Sequence, residues 1–110
     1  MSEIGARDEV TVFTASDFGR TLSINGDGTD HGWGSHHFII GGAVNGRQIY
    51  GDMPEYGFEH TQDAGNGRLI PTTSVEQYAA TLGRWFGLDE QELAIALPGL
   101  SNFPSSPAFV

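Results

Sequence analysis

Blocks of apolar residues alternate with polar, glycine-rich blocks along this chain, and each apolar block predicts an element. Val10-Thr11-Val12-Phe13-Thr14-Ala15 is rich in β-branched and aromatic side chains, which predicts a strand over 9–15. Its nearly continuous apolar character is that of a central parallel strand covered on both faces. Residues 21–35 are rich in Gly, Asn and Asp; Asn25-Gly26 and Asp27-Gly28 are turn signals, and the stretch reads as a loop. The run from Phe38 to Val44 predicts a second strand, about 37–43. Asn45-Gly46 is a two-residue hairpin signal, so 47–50 is expected to return antiparallel. From 51 to 68, Pro54, Gly57, Gly65 and Gly67 interrupt any period, and a long surface loop is expected.

The helical signals lie further on. Thr73-Ser74-Val75-Glu76 has the form of a capping box with Thr73 at the N-cap, after Pro71. Val75, Tyr78, Ala79, Leu82, Trp85 and Phe86 recur at three- and four-residue spacing, which predicts a helix over 74–86 with one apolar stripe. Gly87 suits the position that ends it. A second box, Asp89 to Glu92, opens a short helix over about 90–96, stopped by Pro98-Gly99. The tail 101–110, with Pro104 and Pro107, is expected to be extended or frayed, with 104–110 flexible.

Composition narrows the function classes. At 110 residues the chain holds one domain at most, with a modest core. Its formal charge is −9, with five arginines and no lysine, which argues against nonspecific nucleic-acid or anionic-membrane binding. The absence of cysteine excludes disulfides, thiolate metal sites and thiol nucleophiles. No apolar run approaches the ~18 residues that would span a bilayer. No signal peptide is visible in the acidic start Met1-Ser2-Glu3-Ile4.

Candidate chemistry concentrates in two places. Asp17 follows the first strand and stands beside Phe18-Gly19, where it could ligate a cation or cap the following turn through its own side chain. Arg20 could bind a phosphate or sulfate with two hydrogen bonds, or pair with Asp17; the ion pair is slightly favoured. Asp30, His31, His36 and His37 bring carboxylate and imidazole together among glycines, the donor types that bind zinc and similar divalent ions. If strand geometry continues through them, His36 and His37 face opposite sides. The competing reading is a hydrogen-bonded polar loop with one core histidine. Trp33 reads as a packing anchor and His60 as a solvated loop residue. Nucleophile-elbow, P-loop and dinucleotide-binding patterns are absent.

Residues 10–21 (Val-Thr-Val-Phe-Thr-Ala-Ser-Asp-Phe-Gly-Arg-Thr) and 29–38 (Thr-Asp-His-Gly-Trp-Gly-Ser-His-His-Phe) resemble the bacterial family catalogued as domain of unknown function 1501. The resemblance continues through 41–46, 49–51, 70–87 and 97–103, and concerns the C-terminal part of that family. The family in turn resembles the sulfatase and alkaline-phosphatase superfamily, in which a strand ends in Ser-Asp-His-Gly and a later histidine completes a divalent-metal site. By position, Asp17 matches the metal-ligating aspartate, Phe18 stands where that superfamily has a histidine ligand, and His31, His36 or His37 matches the later histidine.

The resemblance implies an α/β fold, the C-terminal fragment of an alkaline-phosphatase-like domain. It implies a zinc, manganese or calcium ion held by Asp17 and one of His31, His36 and His37, drawn from the cluster Asp30, His31, His36 and His37, with Arg20 or a histidine stabilising an oxyanion. The implied parent reaction is hydrolysis of a small phosphate or sulfate ester. The superfamily's nucleophile and first aspartate ligands lie on earlier strands, so this chain alone is not expected to hydrolyse esters. Its expected partners are the remainder of the domain or a second copy. Full-length relatives are often exported to the periplasm by the twin-arginine route. The alternative is a degenerate, non-catalytic binding or assembly module. A third expectation is an independent β-rich metal-binding domain over 9–50.

Overall fold

The computed structural model describes residues 2–34, 36–53, 57, 58, 63–65, 67–103 and 105–110. It is a mixed α/β chain with two small antiparallel sheets and two helices. In chain order the elements are β1 (Thr11–Phe13), β2 (Gly19–Ile24), β3 (Thr29–Gly32), β4 (Ile39–Gly41), α1 (Val75–Phe86) and α2 (Glu90–Ala96). β1 pairs with β4, and β2 with β3.

The first strand is therefore not a central parallel one. Thr14 N donates to Phe38 O (3.0 Å) past one end of the β1–β4 ribbon, and Gly42 N donates to Arg7 O (3.1 Å) past the other, an antiparallel order. Among the described residues β1 has one neighbour, and Val12 and Phe13 stay exposed. A continuous apolar run measures how much burial a strand seeks, and does not choose its neighbours.

The chain divides into two compact units: Met1–Val12, Ile40–Gly51 and Thr73–Val110 form one, and Phe13–Ile39 with Asp52–Thr72 the other. In the first unit α1 begins one residue later than expected. Ser74, not Thr73, is the N-cap: its Oγ accepts from Gln77 N (3.1 Å), and Gln77 Oε1 accepts from Ser74 N (2.8 Å). This reciprocal pair satisfies two helix-end donors at once, and Thr73 is left outside against Gly51. Gly87 ends α1 at φ 114°, with its N–H donating back to Gly83 and Arg84 carbonyls. α2 opens on Asp89, whose carboxylate accepts from Glu92 N (2.8 Å), as the second box predicts.

Among the described residues of this unit, the buried apolar side chains are Ala80, Leu93 and Phe109. The stripe of α1 is thus displaced around the helix: Val75 and Phe86, its expected ends, are exposed, whereas Ala80 and Thr81 are buried. The cause is the segment 105–110, which packs against α1 without helix or strand of its own. Phe109 is 2 % exposed, its ring centroid 5.7 Å from that of Tyr78 and 6.1 Å from that of Tyr50. Thr81 Oγ1 donates to Pro107 O (2.6 Å), and Asn45 N to Phe109 O (2.8 Å). This last bond also bears on the expected hairpin. Residues 47–50 form no strand; Asn45 faces the segment, and the positive φ falls on Arg47 (61°) rather than on Asn45 and Gly46. A type I′ turn needs positive φ at both of its central residues, so the ribbon is not continued.

In the second unit, 21–35 is not a plain loop. β2 and β3 form an antiparallel hairpin pairing Gly19 with Gly32, Arg20 with His31 and Ile24 with Thr29, with an irregularity between Arg20 and Ile24. The turn closes through Asn25 N to Gly28 O (2.9 Å) and Asp27 N to Asn25 Oδ1 (3.3 Å). Thr21 is buried at the irregularity: its hydroxyl accepts from Asp30 N (3.2 Å) and donates to Ser23 O (2.9 Å), replacing ladder bonds that the extra residues interrupt. Leu22 N donates to Gly67 O (3.0 Å), which docks the 63–69 turn on the hairpin. Asp63 Oδ1 holds that turn by accepting from Gly65 N (2.8 Å) and Gly67 N (3.0 Å).

Candidate functional site

All six candidate residues belong to the second unit, and the hairpin positions three of them. Cross-strand pairing sets Arg20 opposite His31 on one face. Phe18, two residues before Arg20, shares that face because strand side chains alternate. The His31 ring stacks on Phe18 with centroids 3.9 Å apart and planes 21° apart. The Arg20 guanidinium lies 5.0 Å from the same ring centroid, a cation–π distance. Its Nη1 donates to Thr29 O at 2.7 Å. Arg20 does not pair with Asp17, as the sequence had favoured; among the described residues it is held by a carbonyl and an aromatic ring.

Glycines let this hairpin base close. A Cβ on Gly19 would stand 2.3 Å from Gly34 O, and one on Gly32 would stand 3.1 Å from the Arg20 carbonyl carbon. Gly19 and Gly32 thus let two backbone segments approach, and Gly34 lies against the Pro71 side chain.

The other candidates point elsewhere. Asp17 is exposed at a bend, and the hydroxyl of Ser16, donating to Phe18 O (2.9 Å), closes that turn in its place. Asp30 Oδ1 accepts from Asn25 Nδ2 at 2.7 Å, which ties it to the hairpin turn. His36 meets Phe38 edge to face at 5.5 Å. His37 Nδ1 lies 3.0 Å from Thr14 Oγ1, which also accepts from Phe38 N (2.9 Å). Trp33, expected to anchor packing, is 69 % exposed. His60 lies outside the described residues.

Among the described residues, no three His, Asp or Glu side chains converge as a metal ion requires. Asp17, Asp30, His31, His36 and His37 are distributed over the bend, the hairpin turn, the hairpin face and the approach to β4. What the hairpin assembles is a guanidinium and an imidazole braced on one phenyl ring. Sequence reasoning missed this trio because it read Phe18 as a lost ligand. The signal was available: Phe18 and Arg20 stand two apart, and His31 lies across a turn marked by Asn25-Gly26.

No helix among the described residues is long and apolar enough to cross a membrane. No curated protein and no solved structure matches the chain. A family model does, over residues 1–100, a span that includes both strand pairs, both helices and every candidate residue. The chain belongs to the family described as Protein of unknown function (DUF1501).

Proposed function

We propose that this chain acts as a binding and assembly module. The observation that carries this reading is the distribution of apolar side chains. In the first unit Ala80, Leu93 and Phe109 are buried. In the second, the buried side chain among the described residues is that of a threonine, Thr21, while Trp33, Phe38, Met53 and Phe58 are more than half exposed. A unit without an apolar core of its own is stabilised by whatever covers it. The remainder of an alkaline-phosphatase-like domain, or a second copy, would supply that cover.

The test is direct. Light scattering on the purified chain, with binding of the dye ANS, is expected to show self-association or exposed apolar surface. A monomer that binds no dye and unfolds cooperatively would overturn the reading.

A second reading is favoured by the Arg20–His31 pair. A guanidinium and an imidazole on one hairpin face are donors suited to an ester oxyanion. On this reading the whole protein hydrolyses small phosphate or sulfate esters with a divalent ion. Metal analysis of the chain with and without His31→Ala tests it: stoichiometric zinc, manganese or calcium lost in the variant supports it. No metal at saturation removes it.

A further inference from the structure

The chain holds three Asn-Gly pairs: Asn25-Gly26, Asn45-Gly46 and Asn66-Gly67. In each, the glycine lacks a Cβ and leaves its main-chain nitrogen open to the carboxamide that precedes it. That nitrogen closes on the asparagine Cγ only when its N–H is not committed to another acceptor. Exposure does not choose among the pairs, since Asn25, Gly26, Asn45 and Gly46 are all exposed. Hydrogen bonding does. Gly46 N donates to Val44 O (2.9 Å), and Gly67 N donates to Asp63 Oδ1 (3.0 Å). Asn45 is also pinned: its N donates to Phe109 O (2.8 Å), its Nδ2 to Ala108 O (3.4 Å), and its carbonyl accepts from the Tyr50 hydroxyl (2.7 Å). Asn66 lies outside the described residues. Gly26 N has no acceptor among the described residues, and at φ 101° there is open space where a Cβ would stand. The Asn25 carboxamide is held at both ends. Its Oδ1, the oxygen that gathers charge when Cγ is attacked, accepts from Asp27 N (3.3 Å). Its Nδ2 donates to Asp30 Oδ1 (2.7 Å).

We infer that Asn25 is a site of spontaneous deamidation, and that its conversion loosens the β2–β3 hairpin. Gly26 N bonds to Asn25 Cγ and gives up its proton. The Cγ–Nδ2 bond breaks, and ammonia leaves with that proton. The succinimide then takes up a water molecule, and either of its two carbonyl–nitrogen bonds opens, giving aspartate or isoaspartate. Both products lack the amide donor and bring a carboxylate toward Asp30, so a 2.7 Å hydrogen bond gives way to repulsion. The isoaspartate also lengthens the main chain by a methylene, inside the turn that Asn25 N closes on Gly28 O. The Ile24–Thr29 pair flanks that turn, and the register that sets Arg20 opposite His31 runs on from it.

The full-length chain is held at neutral pH, folded and in urea, and its peptides are read by mass spectrometry with fragmentation that separates aspartate from isoaspartate. Opening a protecting hydrogen bond slows attack by about tenfold, so Asn25 is expected to convert about tenfold faster than Asn45 or Asn66 in the folded chain. In urea, where these bonds are gone, the three rates should converge. The converted protein, separated by ion exchange, should lose the cross-strand NOEs of β2 and β3 and keep the helical NOEs of α1. Equal rates in the folded chain overturn the site, as does faster conversion at Asn45 or Asn66, or an Asn25 that stays intact when folded and converts only in urea. A preference for Asn25 that persists in urea overturns it as well, because neighbouring residues rather than hydrogen bonds would then set it. Unchanged β2–β3 NOEs in the isolated isoaspartate form overturn the loosening.

Discussion

Phe109→Ala is the perturbation with the largest expected effect on stability. Phe109 is 2 % exposed and is the largest of the buried apolar side chains among the described residues. Removing a buried phenyl ring costs about 3–5 kcal/mol, from lost transfer energy and the cavity left between Tyr50 and Tyr78. A small domain has only about 5–15 kcal/mol in total. The first unit, whose buried apolar side chains are Ala80, Leu93 and Phe109, has little in reserve. Each kcal/mol shifts Tm by about 4–8 °C in a domain of this size, so a fall of at least about 12 °C is expected. Far-UV circular dichroism at 222 nm (a helix band, reporting α1 and α2) follows it on heating and in urea. Phe109→Leu should restore part of the loss. Phe103→Ala, at a ring 37 % exposed, should cost far less. A Tm shift under about 4 °C for Phe109→Ala, equivalent to less than 1 kcal/mol, would show that the ring does not pack here.

Further outcomes follow from single contacts. Gly19→Ala places a methyl 2.3 Å from a backbone carbonyl oxygen and should abolish the cross-strand NOEs of β2 and β3, whereas Gly28→Ala, with open space around it, should leave them intact. Gly87→Ala meets no atom within 4 Å, so its cost is purely that of holding φ at 114°, about 1 kcal/mol in urea unfolding. The hydrogen bonds from Arg84 hold the Glu90 carboxyl below its usual range, so the ionised form favours the folded state. That stabilisation is present above the ordinary glutamate range and is lost as pH falls through the lowered value. Glu90→Gln should therefore lower the urea midpoint slightly at neutral pH, with the difference closing on acidification. Burial raises the Tyr78 phenol above its ordinary value, so its contribution is complete below that value and is lost as pH rises through the raised one. Tyr78→Phe should delay alkaline unfolding, measured by the same dichroism signal.

The helices were legible because their signals are local. Asp89 and Glu92 cap each other across three residues, and α2 begins and ends where that pair and Pro98 predict. Even the one-residue error at α1 is local: Ser74 and Gln77 form the same kind of pair one position along from Thr73 and Glu76. The candidate site was legible as a cluster of residue types and not as an arrangement. Asp30 and His31, adjacent in sequence, were brought to separate partners, because a strand sends neighbouring side chains to opposite faces. The pairing of Arg20 with His31, and the stacking of His31 on Phe18, depend on a register that the irregularity at Thr21 helps to set.

By itself, then, the chain determined its family, its two helices, their caps and the turn at Asn25-Gly28, all of which depend on interactions spanning a few residues. Tertiary structure decided which residues became core. Phe109 reads in sequence as part of an extended tail, yet it fills the slot between Tyr50 and Tyr78, and its docking buries Thr81 and turns Asn45 away from a hairpin. Tertiary structure also made Phe18 the brace of the Arg20–His31 face. The physical reason is the same in both cases. Apolar burial is non-directional, so sequence shows which side chains seek cover, and only the folded chain shows what covers them.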